Sequence, residues 1–374
     1  MAKIPLSIYI HVPFCRRRCV YCDFLSFSGM EWLIESYVAA LLADIAEHSA
    51  EFRDYEVITI FFGGGTPSLL KSEHFEAILR EIRTNFHLSQ SCPISMEANP
   101  ETVDEAYLLN LRNLGMSRIS FGVQSFSNKN LKTLGRLHRA DTAINAVKSA
   151  SNAGFEDINA DLIFALPNQS LADFEKDLDA ALELPITHIS CYALTVEEGT
   201  PLADSPLAAA LPDEAADRAM YALAKQKLAA AGFAHYEISN WARAGFECRH
   251  NLGYWTGRQY LGLGLGASSY FGNRRLKKTD DLKAYIGGNF NLVLLEELSP
   301  QAQMSEFVML GLRLTSGISI ADFQTRFGQN IFDIFGQTLN KFLAEGLLQQ
   351  NTNKITLTEK GIDLSNMIFS EFLE

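Results

Sequence analysis

The sequence predicts an α/β fold, a partial (βα)6 barrel followed by a smaller and mostly helical domain. Three observations predict it. Short apolar runs alternate six times with segments of helical period between residues 5 and 194, the pattern of parallel βαβ units. Several of these runs end in glycines or in an isolated polar residue, where a parallel barrel presents ligand sites. Beyond Ser299-Pro300 the strand signals give way to helical periodicity.

The first run holds the strand formers Ile8, Tyr9, Ile10 and Val12, and Pro13 ends it before Cys15, Cys19 and Cys22. Leu33, Ile34, Tyr37, Val38, Leu41, Leu42 and Ile45 then mark one apolar helical face. Residues 57–62 read as a buried strand running into Gly63-Gly64-Gly65-Thr66-Pro67, with a helix at about 71–86. The alternation continues as strand 93–97, helix 102–114, strand 117–123 and one long helix at about 128–153. Strand 157–164, helix 171–183 and strand 188–194 complete it. The number and length of the strands suit an open barrel with a lateral mouth for a large substrate better than a closed eightfold one.

From about 195 the pattern loosens. Residues 213–231 form an Ala-rich helix, and 235–241 a short strand. The stretch Gly262–Ala267 reads either as a pocket wall or as a close-packed strand. These changes divide the chain into a barrel over 1–240, a barrel extension over 241–299 and a C-terminal domain over 300–374. Residues 304–374 read as three helices, a hairpin near 349–358 and a last helix, an order that resembles a winged helix. With 5 Lys/Arg against 8 Asp/Glu, this segment lacks the basic face of a nucleic-acid binder, so it reads as a structural or protein-contact domain.

Length and composition narrow the function. The 374 residues suffice for a large core and for two domains. A net charge of −12 argues against nucleic acid or an anionic membrane as a partner. No apolar run reaches the roughly 18 residues of a spanning helix, and the N-terminus shows no signal-peptide core. Six cysteines, three of them in one loop, fit a reducing compartment. A cytoplasmic protein is expected, with a peripheral membrane association left open by composition.

The three thiols within eight residues carry the chemistry. Structural zinc sites close with four ligands, usually from two separate short pairs, and no second pair exists here. Three thiolates suit a cubane iron–sulfur cluster whose fourth iron stays open. An open iron can take a small bidentate ligand such as an amino acid's amine and carboxylate. The Gly63–Pro67 stretch is either a tight turn or a place where backbone approaches a ligand closely. Glu97, Gln124 and Asp161 sit at or near strand ends. A carboxylate in an apolar strand is costly to bury alone, so Asp161 meets either a local hydrogen-bond partner or a ligand hydroxyl. Arg136, read as near the start of the long helix, faces a carboxylate or solvent. In His250-Asn251-Leu252-Gly253-Tyr254-Trp255, an imidazole and two flat rings offer a haem site, or else an ordinary packed aromatic corner. Arg16, Arg17 and Arg18 suit an acidic electron donor, haem propionates or plain solvation.

The C-x3-C-x2-C spacing resembles the signature of the radical S-adenosylmethionine (SAM) superfamily. Tyr9 with the cysteines, Gly63–Pro67, Met96–Pro100, Gly122–Phe126 and Asp161–Pro167 appear in the order seen in the oxygen-independent coproporphyrinogen III oxidase family, and the resemblance covers nearly the whole chain. It implies a [4Fe-4S] cluster on Cys15, Cys19 and Cys22, with SAM on the fourth iron. It further implies nucleotide contacts from Tyr9, Gly64, Gly65, Thr66, Glu97, Gln124, Arg136 and Asp161. The true oxidases resemble C-x3-C-x2-C-x-C, whereas Phe24 stands at the last position here. They also carry a long N-terminal arm, for which Cys15 leaves no room. The H-N-x-x-Y-W motif at 250–255 resembles that of the HemW branch, the haem chaperones. That branch implies haem as cargo, with His250, Tyr254 and Trp255 as haem candidates, and haem-requiring acceptor proteins such as respiratory enzymes as partners. A reductant such as flavodoxin or an NAD(P)H-linked donor is implied for the cluster. The rival reading is a porphyrinogen oxidase, an enzyme. A simple electron carrier is disfavoured by the many nucleotide-contact matches. Catalytic residues, if any, are not assigned by the sequence.

Overall fold

The computed structural model describes residues 3–373. Its main sheet begins with β1 (Ile4–Val12), β2 (Tyr55–Gly64), β3 (Ile94–Ala98), β4 (Arg118–Gln124), β5 (Asp157–Phe164) and β6 (His188–Ala193). It continues with β7 (Ala234–Glu237), β8 (Asn240–Ala242), β9 (Gln259–Leu263), β10 (Ser268–Phe271), β11 (Arg274–Lys277) and β12 (Val293–Glu297). The spatial order is β12-β11-β10-β9-β1-β2-β3-β4-β5-β6-β8-β7. Strands β9 and β1 to β6 are parallel to one another, and the flanking strands are antiparallel. Because β7 and β12 do not pair, the barrel is open.

Parallel strands covered on both faces normally read as continuous apolar runs. These alternate instead. Ile119, Phe121 and Val123 of β4, and Ile158, Ala160, Leu162 and Phe164 of β5, belong to the core. The intervening Ser120, Gly122, Gln124, Asn159 and Asp161 line a cavity. A period-2 pattern in a parallel sheet therefore marks the inner wall of a hollow rather than a solvent face.

The helices are α1 (Ile34–His48), α2 (Ser72–Asn85), α3 (Glu105–Asn113), α4 (Asn128–Thr133), α5 (Ala140–Asn152), α6 (Leu171–Leu182), α7 (Glu214–Ala230) and α8 (Arg249–Trp255). Two expectations are corrected. The single helix over 128–153 is two, α4 and α5, since Gly135 takes a positive φ of 76° that interrupts a right-handed helix. The strand at 235–241 is the β7/β8 hairpin. The glycine-rich stretch resolves in part as β9, a close-packed seventh parallel strand beside β1, whose Gly262 lies so near the Ser268 carbonyl that a Cβ would approach to 2.2 Å.

Residues beyond Ser299 build a separate core around Val308, Phe323, Ile331, Leu339, Phe342, Ile355 and Ile368. Three helices, Pro300–Gly311, Ile320–Phe327 and Ile331–Ala344, precede the strands Leu348–Gln350 and Lys354–Leu357. Ile318–Ser319 adds a third strand to that hairpin. No helix among the described residues is long and apolar enough to cross a membrane.

A buried polar knot joins α1 to the β9 side of the barrel. Lys278 Nζ donates to Asp44 Oδ1 at 2.7 Å and to the Phe290 carbonyl at 3.0 Å. Asp44 Oδ2 accepts from the Gly264 N–H at 3.0 Å and from Tyr285 at 2.8 Å. Both charged side chains are inaccessible to solvent, and burial pushes the Lys278 ammonium below the usual lysine range despite Asp44. Removing one partner strands the other charge. Lys278→Met should lower unfolding free energy by about 3–5 kcal/mol in urea denaturation, and Asp44→Asn added to it should recover much of that loss. A single substitution costing under about 1 kcal/mol would show that the pair carries no such role.

Candidate functional site

The C-terminal ends of β1 to β6 surround a cavity of about 490 Å³. Its mouth carries the cysteine loop. Cys15 ends a two-residue strand, Phe14–Cys15, that pairs with Phe27–Ser28 and so folds the loop back on itself. Two tight approaches explain the glycines that follow β2. At Gly64, with φ 112°, a Cβ would lie 2.5 Å from the His11 ring, and at Gly65 it would lie 2.7 Å from the Phe14 carbonyl. Only glycine lets these backbones meet.

Side chains then tie the loop to the strand ends. The Asn99 amide donates to Thr66 Oγ1 at 3.1 Å, which leaves the Thr66 proton for Cys15 Sγ at 3.2 Å. Arg136 Nη2 donates to Asn99 Oδ1 and to the Gly122 carbonyl, each at 2.7 Å. Its Nη1 reaches Cys19 Sγ at 3.6 Å. Arg136 is thus placed in the break between α4 and α5 and not in a helix. It faces sulfur and amide groups rather than a carboxylate. The break itself docks on the loop through the Val20 N–H and the Leu134 carbonyl at 3.2 Å.

This donor set fits thiolates. Hydroxyl and guanidinium groups point at two sulfurs, and donation to an anionic sulfur is stronger than to a thiol. Burial pushes the Cys15 and Cys22 thiols up, so their deprotonation would be coupled to metal binding. Among the described residues no three His, Cys, Asp or Glu side chains converge on one metal ion.

Deeper in the cavity lie Glu97, Gln124 and Asp161. Glu97 Oε2 accepts from the Gly64 N–H at 3.1 Å. Burial, helped by the Asp161 carboxylate, pushes Glu97 up to about 8. Burial likewise raises Asp161, which accepts from Asn159 at 2.7 Å and Ser120 at 3.2 Å. Gln124 takes a φ of 67°, an uncommon conformation for a residue with a side chain and one found at ligand sites. Gly64, Gly65, Thr66, Glu97, Gln124, Arg136 and Asp161 therefore share one cavity wall with the three cysteines.

Tyr9 is not among the residues that line the cavity. Its hydroxyl meets His11 Nδ1 at 3.1 Å, and His11 Nε2 donates to the Leu25 carbonyl at 2.9 Å. Its ring stacks on Phe61, which does line the cavity. Asn99, Ser120, Asn159, Tyr192, Cys248 and Asn251 also line it and went unread in the sequence. The alternation of β4 and β5 was the available signal for Ser120 and Asn159. Asn99 stands two residues after Glu97, at the same parity.

The 250–255 motif forms α8. His250 is only 2% exposed. Thr59 donates to Ser7 and accepts from His250 Nδ1 at 2.9 Å, while His250 Nε2 meets the Tyr254 hydroxyl at 3.0 Å. Its ring stacks on Phe61, and burial lowers its pKa to about 3. Both ring nitrogens are engaged, so neither is presented to an iron. Trp255 lies under the Arg313 guanidinium at 4.3 Å, joining α8 to the C-terminal domain. The motif is built here as a packed aromatic corner.

Comparison with known proteins agrees with this geometry. The Radical SAM superfamily model matches residues 9–181, and the HemN C-terminal domain model matches residues 298–364. Coproporphyrinogen III oxidase (HemN) from Escherichia coli, described as a radical SAM enzyme, has a closely similar fold. Its TM-score is 0.88 at 23% identity, over 100% of this chain and 91% of that one. Heme chaperone HemW of Escherichia coli strain K12 is 37% identical over 380 residues, spanning 100% of both chains. Heme chaperone HemW of Bacillus subtilis strain 168 is 34% identical over 98% of this chain and 99% of the relative. The protein of that name from Mycobacterium tuberculosis strain H37Rv is 37% identical over 99% and 95%. The chain belongs to the HemW family of the radical SAM superfamily.

A carboxyl raised as Glu97 is holds a proton in the folded protein that the unfolded chain has lost. Stability should therefore fall as pH rises between the ordinary 4.5 and about 8. Glu97→Gln removes that titration. Urea denaturation at several pH values across this window should show a shallower decline for the variant than for the wild type. Equal slopes would contradict a protonated Glu97.

Proposed function

We propose that this protein is a haem chaperone, binding haem and passing it to haem-requiring proteins, and that it carries a [4Fe-4S] cluster and SAM. The observation that carries the reading is the end-to-end match to proteins named heme chaperone HemW, at 37% identity in the Escherichia coli case. The acceptors would be haem-requiring proteins, respiratory enzymes among them.

Cys15, Cys19 and Cys22 would hold the cluster, and Gly64, Gly65, Thr66, Glu97, Gln124, Arg136 and Asp161 the nucleotide, with Tyr9 supporting them through Phe61. A bound cluster with SAM on its open iron would supply a low-potential electron next to a sulfonium. The residues of the chain do the positioning. Thr66 and Arg136 donate to sulfur, the glycines let the backbone reach the cavity wall without a side chain in the way, Asp161 offers an acceptor for a hydroxyl, and Glu97, which keeps a proton, offers a donor.

Phe24 separates this reading from the oxidase. The oxidase pattern has a thiol two residues after the third cysteine, and a phenyl ring supplies neither proton nor sulfur there. The residue is 60% exposed at the cavity mouth, where no other cysteine stands on the loop to replace it.

Anaerobically reconstituted protein should hold about four irons and four sulfides per chain. Replacing Cys15, Cys19 or Cys22 by Ala should remove them, and replacing Cys92, Cys191 or Cys248 should not. The reduced, SAM-loaded protein should bind about one haem per chain and leave coproporphyrinogen III undecarboxylated. Robust turnover of that porphyrinogen would overturn the chaperone reading in favour of the oxidase.

A further inference from the structure

Haem is a flat, largely apolar dianion, so its seat needs an exposed aromatic surface beside free cations. The 250–255 motif offers neither in this structure. His250 has both nitrogens bonded, and Trp255 already carries a cation on its face. The cavity interior is also committed. A volume of about 490 Å³ suits one drug-sized ligand, and the nucleotide proposed above takes that place.

The mouth is different. Phe24 on the cysteine loop and Tyr192 on β6 are 60% and 41% exposed, and both line this cavity. Large exposed rings at a cavity rim mark a contact site. Arg17 and Arg18 line the same mouth. Arg18 spends only its Nε, on the Cys22 carbonyl at 3.1 Å, and Arg17 has no hydrogen-bond partner among the described residues. In a chain of net charge −12 these adjacent arginines put two cations at a cavity lining that also carries Asp23 and Glu197, and guanidinium groups match carboxylates in geometry.

Resting on the chaperone reading, we infer that haem seats at the cavity mouth, its ring against Phe24 and Tyr192 and its propionates on Arg17 and Arg18, and not on His250. The Phe24 position then has a purpose of its own. Where the oxidase pattern carries a thiol, this chain carries a flat apolar face beside two cations. The seat lies over the cysteine loop, so cargo and cluster occupy neighbouring ground.

The test is anaerobic haem titration of the full-length, cluster-reconstituted protein, followed by the visible absorption band. Arg17→Gln with Arg18→Gln, and separately Phe24→Ala, should each weaken haem binding about tenfold or more. His250→Ala should bind with wild-type affinity and an unshifted band. Haem dimethyl ester, which lacks the propionate charges, should bind the wild type more weakly than haem but bind the double arginine variant no worse than haem does. Iron and sulfide content checks the cluster in each variant. If a loop variant loses its cluster, Tyr192→Ala carries the test from a strand outside the cysteine loop. Wild-type affinity in the loop and Tyr192 variants, with loss in His250→Ala, would overturn the seat. So would loop variants that bind haem normally but are reduced more slowly by a flavodoxin, since the surface would then serve the electron donor. A wild type that binds no haem would remove the chaperone reading itself, and the seat with it.

Discussion

A relay of four hydrogen bonds holds the site together. It runs from Cys15 through Thr66, Asn99 and Arg136 to Cys19, so it begins and ends on the cysteine loop. Its middle members stand on the ends of β2 and β3 and in the break after α4. The relay therefore ties the cysteine loop to the ends of the sheet strands, as a site that must hold its geometry requires. Its two end donors, the Thr66 hydroxyl and Arg136 Nη1, point at sulfur, which favours thiolate over thiol.

The sheet makes that relay feasible by separating two tasks. One face of each parallel strand is apolar and packs under the helices, and the other is polar and hollow. Buried polar groups are tolerated there because they pair among themselves, as Asp161 does with Ser120 and Asn159, or because they keep a proton, as Glu97 does. The glycines after β2 let the loop descend to this wall, and the positive φ at Gly135 turns Arg136 back toward it. Helix α8 then braces the wall from behind through Phe61 and reaches the C-terminal domain through Trp255 and Arg313.

Much of this was legible in the sequence where a residue's role follows from its local pattern. Alternating strands and helices gave the open barrel, and the cysteine spacing with Gly63–Pro67 gave the positions that converge on one cavity. Roles that depend on what a fold brings from elsewhere were not legible. His250 reads either as a haem ligand or as part of a packed corner, because its Nδ1 partner, Thr59, comes from far away in sequence. Tyr9 meets the cavity lining only through Phe61, its register partner on β2. Arg136 reads as helical since a single glycine among good helix formers is a weak interruption on paper, yet docking against Val20 makes it decisive. The parallel pairing of β9 with β1 joins residues about 250 positions apart, beyond any local signal.

The central claim is that this loop holds a four-iron cluster with one iron left open to SAM. Mössbauer spectroscopy of the anaerobically reconstituted, iron-57-enriched protein tests it most directly. The account predicts the signature of a single cubane, and a distinct subspectrum from about one iron in four when SAM is added. A spectrum unchanged by SAM, or one of isolated or two-iron sites, would contradict it.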